Sequence, residues 1–140
     1  MNVTYYRLLD HTADLGVEIT GRTPADLFAN AARTLGELIC EPQSVQPRNE
    51  RRVEAEGEDW ADLMVNWMRE LLYLWNGGQQ LWTGARIETL TAEYVRAYVA
   101  LDDYDPERHA ILHDIKAVTY HAIEVSPTRG GWRASVIFDV

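Results

Sequence analysis

An apolar band too wide for a surface helix runs through residues 60–75 and limits what this chain can fold into. Trp60, Leu63, Met64, Trp67, Leu71, Leu74 and Trp75 recur at three- and four-residue spacing, and Val65, Met68 and Leu72 broaden the stripe. A helix apolar over that much of its circumference must be packed deeply against a sheet, the alternative being a cofactor box or partner groove. Asp59 is placed to cap it, Asp62 puts an acid in its first turn, and Gly77-Gly78 is expected to stop it. An earlier helix opens at Thr23-Pro24-Ala25-Asp26, where an N-cap hydroxyl, a proline at the first helical position and a capping-box acid coincide. Leu27, Phe28, Ala31, Ala32, Leu35, Leu38 and Ile39 give it one apolar face, and Glu41-Pro42 ends it, with loop through Pro47.

Around these helices the pattern is β. An apolar run over residues 3–9 precedes Leu15-Gly16-Val17-Glu18-Ile19-Thr20, which alternates as a half-buried strand does. Residues 51–56 form a short, mostly polar strand near an edge, closed by a turn at Gly57. Strands are expected over 81–90, 94–101, 115–125 and 132–140, all rich in Val, Ile, Tyr or Trp, with Arg129-Gly130-Gly131 as a hairpin turn. The expected fold class is α+β: a two-layer sandwich with two main helices packed on a mostly antiparallel or mixed β-sheet, one domain spanning 1–140. No internal repeat or low-complexity tract is evident.

Charge narrows the partners. Thirteen Lys and Arg against 22 Asp and Glu give a net charge of −9, with no basic stripe, which argues against tight direct binding of RNA or DNA and for a cation or a basic protein surface. The single cysteine, Cys40, excludes an internal disulfide framework and is expected to be a small apolar residue at a helix end. The first residues lack a basic stretch followed by an apolar one, and no apolar run reaches membrane-spanning length, so a cytoplasmic location is expected.

Chemistry-bearing residues gather at two places. Asp10-His11-Thr12-Ala13-Asp14 puts two carboxylates and an imidazole at a strand junction, where Asp is poorly suited unless it is paired or binds a cation. The last strand alternates Trp132, Ala134, Val136 and Phe138 against Arg133, Ser135, Ile137 and Asp139, and the Asp139 side chain then stands beside the Val140 carboxylate. Oxygen ligands so grouped suit calcium, magnesium or manganese. His109-Ala110-Ile111-Leu112-His113 has the spacing of a zinc-binding helix, without the glutamate a metalloprotease would use, and Asp105-Pro106 and Ile115 make it equally a loop or a single turn. Lys116-Ala117-Val118-Thr119-Tyr120-His121 opens a strand. There is no nucleophile elbow, phosphate-cradling glycine loop or paired CxxC.

Taken in order, His11-Thr12-Ala13-Asp14, Val65-Asn66-Trp67-Met68-Arg69-Glu70-Leu71-Leu72-Tyr73, Lys116-Ala117-Val118-Thr119-Tyr120-His121 and Phe138-Asp139-Val140 resemble the archease family nearly end to end. The resemblance implies an accessory protein that performs no covalent step itself. It implies activation of an RtcB-type RNA ligase of tRNA splicing and RNA repair, by promoting GTP-dependent guanylylation and multiple turnover. By carry-over, Asp14, Asp139 and the Val140 carboxylate match the family's metal positions, and Lys116 matches a lysine associated with activity; His11 is then a turn-shaping hydrogen-bonder. Two other readings stay open. A chaperone-like interaction module would use the broad band of the second helix, and a zinc-dependent hydrolase would use His109 and His113, whose roles, like that of His121, the residues leave undecided.

Overall fold

The computed structural model describes residues 5–9 and 14–140. Along the chain run β1 (Tyr6–Leu9), β2 (Leu15–Gly21), α1 (Pro24–Ile39), β3 (Asn49–Glu56), α2 (Trp60–Gly78), β4 (Gln80–Leu81), β5 (Arg86–Thr91), β6 (Tyr94–Asp103), β7 (Ala117–Thr128) and β8 (Gly131–Asp139). Both helices start as their caps dictate. Thr23 Oγ1 accepts from Asp26 N at 3.1 Å and Asp59 Oδ1 from Asp62 N at 2.8 Å, each satisfying an otherwise orphaned helix donor. Helix α1 ends at Ile39, and Cys40 is its buried C-cap, as expected of a small apolar residue there. Helix α2 ends at Gly78, as expected, but its left-handed cap is Gln79, at φ 51°, whose N–H reaches the Leu74 and Trp75 carbonyls.

The two helices pack on antiparallel sheets, as the pattern requires, but the strands divide into two of them. One runs β1-β2-β8-β7; in the other, β6 lies between β3 on one side and β5 and β4 on the other. Helix α1 touches β2, β8 and β5, while α2 touches β3, β6 and β7, so each helix contacts strands of both sheets. That is where the broad apolar band goes: Leu63, Met64, Val65, Trp67, Met68 and Leu71 are fully buried. The buried indoles keep their N–H groups satisfied on the neighbouring helix, Trp67 donating to Phe28 O at 3.0 Å and Trp82 to Ala32 O at 2.8 Å.

The topology also reveals an internal duplication that the expectation of no repeat missed. Gly21-x-x-x-Ala25-Asp26-Leu27-x-x-Asn30 recurs as Gly57-x-x-x-Ala61-Asp62-Leu63-x-x-Asn66, followed by Arg33 and Arg69, Leu35 and Leu71, and Leu38 and Leu74 at matching places. The geometry repeats with the letters. Asn30 Nδ2 donates to Thr20 O at 2.8 Å and Asn66 Nδ2 to Glu56 O at 2.7 Å, each tying a helix back to the strand before it. In each half a strand leads into a helix, and the second strand of a later hairpin pairs with that first strand: β2 with β8 of β7-β8, β3 with β6 of β5-β6. The half containing β3 is inserted whole between α1 and β7.

Both strand-to-helix corners require glycine because the backbone turns onto itself. A Cβ at Gly21 would lie 2.5 Å from Leu27 N, and one at Gly57 would lie 2.4 Å from Leu63 N. Gly21→Ala and Gly57→Ala should therefore each lower the unfolding free energy by about 1–3 kcal/mol in urea denaturation, by similar amounts. Gly84→Ala, with nothing within 4 Å of its new methyl, should change it by less than about 0.5 kcal/mol.

Candidate functional site

The β2–β8 ladder ends on the pair Leu15–Phe138, so Asp14 and Asp139 are the next residues along two hydrogen-bonded neighbouring strands. On the other side of β8, Lys116 N donates to Asp139 O at 2.8 Å, and Ala117 pairs with Asp139. Three expected site residues far apart in sequence thus meet at one sheet end. Asp139 and Lys116 are exposed, Asp14 is half-buried, and Val140, just past β8, is 48% exposed. Asp10, His11, Thr12 and Ala13 lie outside the described residues. The Lys116 side chain lines a cleft of about 240 Å³ against α2, together with Arg69, Leu72, Tyr73, Asn76, Ala117 and Val118. A larger cavity of about 500 Å³, lined by Arg22, Asp26, Asn30 and Trp132 among others, sits at the Gly21–Trp132 end of the same ladder, away from the acids.

The donor chemistry at Asp14 and Asp139 fits a hard divalent cation only in part. Among the described residues no group of three or more His, Cys, Asp and Glu stands together as a metal cage. Two carboxylates cannot fill the six to eight positions around calcium, but one or two carboxylates completed by water and substrate phosphates is the usual arrangement for magnesium.

The cleft wall is braced from β7. Arg69 donates to Val118 O through Nε at 3.4 Å and Nη2 at 3.2 Å, and its guanidinium lies 4.7 Å from the centroid of the Tyr120 ring. Tyr120 in turn donates to Asp62 Oδ1 at 2.7 Å. That hydrogen bond raises the Tyr120 hydroxyl above its ordinary value and, with a second bond from Glu58 N, lowers the Asp62 carboxyl. Beyond Tyr120 the β7–β8 register shifts between Thr119 and Glu124, where Ala122 adopts φ 53° and His121 lies exposed.

The pair His109 and His113 is not a zinc site, for a specific reason. His109 is buried in a turn, its Nδ1 accepting from Asp105 N at 3.0 Å and its Nε2 within 3.1 Å of Asp102 Oδ2. Both ring nitrogens are engaged, which fixes the neutral tautomer with the proton on Nε2 and leaves no lone pair for a metal. The zinc-hydrolase reading falls with it. Asp102 was not anticipated; it follows Leu101 at the end of an alternating strand and is only 3% exposed. Arg108 Nη1 donates to its Oδ2 at 2.9 Å and Nη2 to its Oδ1 at 3.3 Å, and Gln46 N adds a bond at 2.8 Å. Burial alone would raise this carboxyl, but the bonds from Arg108 and Gln46 and the charge of Arg108 outweigh it, holding it below the ordinary carboxylate value.

The sequence profile of the archease protein family matches residues 6–140. The chain belongs to the archease family. An archease of Methanosarcina mazei is 34% identical over 139 residues, covering 96% of this chain and 95% of the relative, and one of Methanopyrus kandleri is 33% identical over 135 residues, covering 94% and 96%. The solution structure of protein 1598 of Methanobacterium thermoautotrophicum superimposes with a TM-score of 0.79 at 28% identity, covering 97% of this chain and 99% of that one. The crystal structure of a Thermotoga maritima archease, described there as a possible chaperone, shares the fold at 21% identity and a TM-score of 0.63, covering 94% of each.

The depressed Asp102 carboxyl carries a sign. Its contribution to stability is fully present above the ordinary carboxylate value, about pH 4, and is lost as pH falls through the lower folded value. Asp102→Asn should cost about 2 kcal/mol at neutral pH, from hydrogen bonds that lose their charge, and should make stability less steep in pH below about 4 in an acid-denaturation series.

Proposed function

We propose that this chain is an activator of an RtcB-type tRNA-splicing and RNA-repair ligase in the cytoplasm. It would promote GTP-dependent guanylylation of the ligase and allow multiple turnover without a covalent step of its own. The observation that carries this reading is the convergence of Asp14 and Asp139 on neighbouring strands, beside the backbone of Lys116, in a member of the archease family. Asp139 presents an exposed carboxylate at a sheet end, with half-buried Asp14 beside it on the neighbouring strand. Lys116 offers a cation on the adjoining strand. The Val140 carboxylate is the remaining ligand implied by the family resemblance. Calcium, magnesium or manganese bound there would offset triphosphate charge. With only two side-chain carboxylates described, the remaining ligands are best supplied by water, the ligase or GTP. The net charge of −9 fits a helper that leaves RNA to its partner.

A chaperone-like role has weaker support. The broad band of α2 that would hold unfolded clients is taken up by the sheets, and the exposed large apolar side chains, Leu8, Tyr73, Leu112, Tyr120 and Val140, are spread over several elements. Guanylylation of a ligase by labelled GTP, with and without this protein, tests the proposal. Asp14→Asn and Asp139→Asn should each reduce stimulation at least tenfold at unchanged thermal midpoint, and stimulation equal to the parent protein's would sink it.

A further inference from the structure

We propose that the cleft between α2 and the start of β7 binds a nucleoside polyphosphate, Lys116 and Arg69 taking the phosphates and Tyr73 the base. Two cations face this cleft in a chain whose other basic residues mostly lie against carboxylates, as Arg7 does with Glu18, Arg86 with Glu50, Arg96 with Glu88 and Arg133 with Glu124. Among the described residues neither Lys116 nor Arg69 makes an ion pair. Arg69 is held in place by Val118 O through Nε and Nη2 and lies over the Tyr120 ring, so its guanidinium is anchored at the cleft wall and would meet an anion at little further entropic cost. Asn76, tied to Ile115 O at 3.3 Å, adds an amide to the same wall.

The aromatic element separates a nucleotide from other anions. Tyr73 is 71% exposed, the most exposed of the large apolar side chains. Its ring is nevertheless seated, because a Cβ on Gly77 one turn later would lie 2.8 Å from Tyr73 Cζ and 2.9 Å from Cε2. Glycine at 77 lets the ring lie down on the helix backbone and present its other face outward, as a stacking platform needs. A cleft of about 240 Å³ accommodates phosphates and part of a sugar, leaving the base over the ring. A carboxylate-bearing peptide would use the cations but not the ring face. The net charge of −9 penalises a long polyanion far more than a mononucleotide.

The test needs no ligase, so its outcome is independent of the activator reading. Titrations with GTP, ATP, tripolyphosphate and hexaglutamate at low salt would be followed by calorimetry and by amide chemical shifts. The nucleotides should bind more tightly than tripolyphosphate and shift amides of Arg69, Tyr73, Asn76 and Lys116. Tyr73→Ala should weaken nucleotide binding roughly tenfold while leaving tripolyphosphate unchanged. Lys116→Ala should weaken both several-fold; Arg69→Gln should do so with Arg69→Lys partly restoring it, which separates lost phosphate contact from a lost brace on β7. Absence of nucleotide binding, hexaglutamate binding as tightly as GTP, tripolyphosphate binding as tightly as the nucleotides, or shifts confined to another face would each overturn the proposal.

Discussion

Two helices that are apolar over most of their circumference, lying against each other, cannot be satisfied by one sheet, and the rest of the molecule follows from covering them. Leu27, Phe28, Ala31, Ala32, Leu35 and Ile39 of α1 are as fully buried as the inner residues of α2, and each fully buried large side chain contributes roughly 1.5–3 kcal/mol. The polar cost of so much burial is contained, because the two buried indoles, Trp67 on α2 and Trp82 just after β4, donate to backbone carbonyls of α1. What remains exposed on α2 is a narrow strip carrying Arg69, Glu70 and Tyr73. The cleft is built on that strip.

The duplication explains how the covering is achieved. Each half supplies a strand, a helix and a hairpin, and each helix reaches the first hairpin strand of the other half, α1 to β5 and α2 to β7. The halves are therefore interlocked as well as adjacent. The candidate site is not shared between them. Where one half ends its central strand in exposed Asp139, the other runs on into buried Asp102, which Arg108 pairs with and His109 hydrogen-bonds within the fold. One half keeps its acid open and the other has enclosed its own.

Much of this was legible in the residues. Thr23, Pro24 and Asp26 announce one helix and Asp59 and Asp62 the other, because capping is local chemistry that tertiary contacts rarely override. The acids at 14 and 139 were legible singly, and the family resemblance joined them, but only strand register makes them neighbours. The misses have physical causes. Gly77-Gly78 marked where α2 ends but not how, since Gly77 makes room for the Tyr73 ring and Gln79 takes the left-handed cap. A strand over 81–90 is broken because Trp82 turns inward to Ala32 O, leaving only β4 and β5 as paired segments. His109 carried a metal-like spacing whose real partner, Asp102, lies in a different element. The repeat escaped notice because identity is dense only at the helix starts, where caps and corner glycines permit few alternatives, and because one copy interrupts the other. Arg69 and Tyr73 fell outside the apolar band of α2, but periodicity marks only that a residue faces outward and not which strand or glycine it lies against.

The insertion of one half within the other has a consequence for when the acid pair can exist. The half containing β3, α2, β5 and β6 is contiguous and closes on contacts of short sequence separation, whereas β2 must wait for β8, the last strand described, before Leu15 can meet Phe138. Asp14 and Asp139 come together only where the first-half strand β2 meets the far-off strand β8. A chain in which β2 and β8 have not paired carries both carboxylates but not their juxtaposition, so the candidate arrangement belongs to the assembled sheet alone.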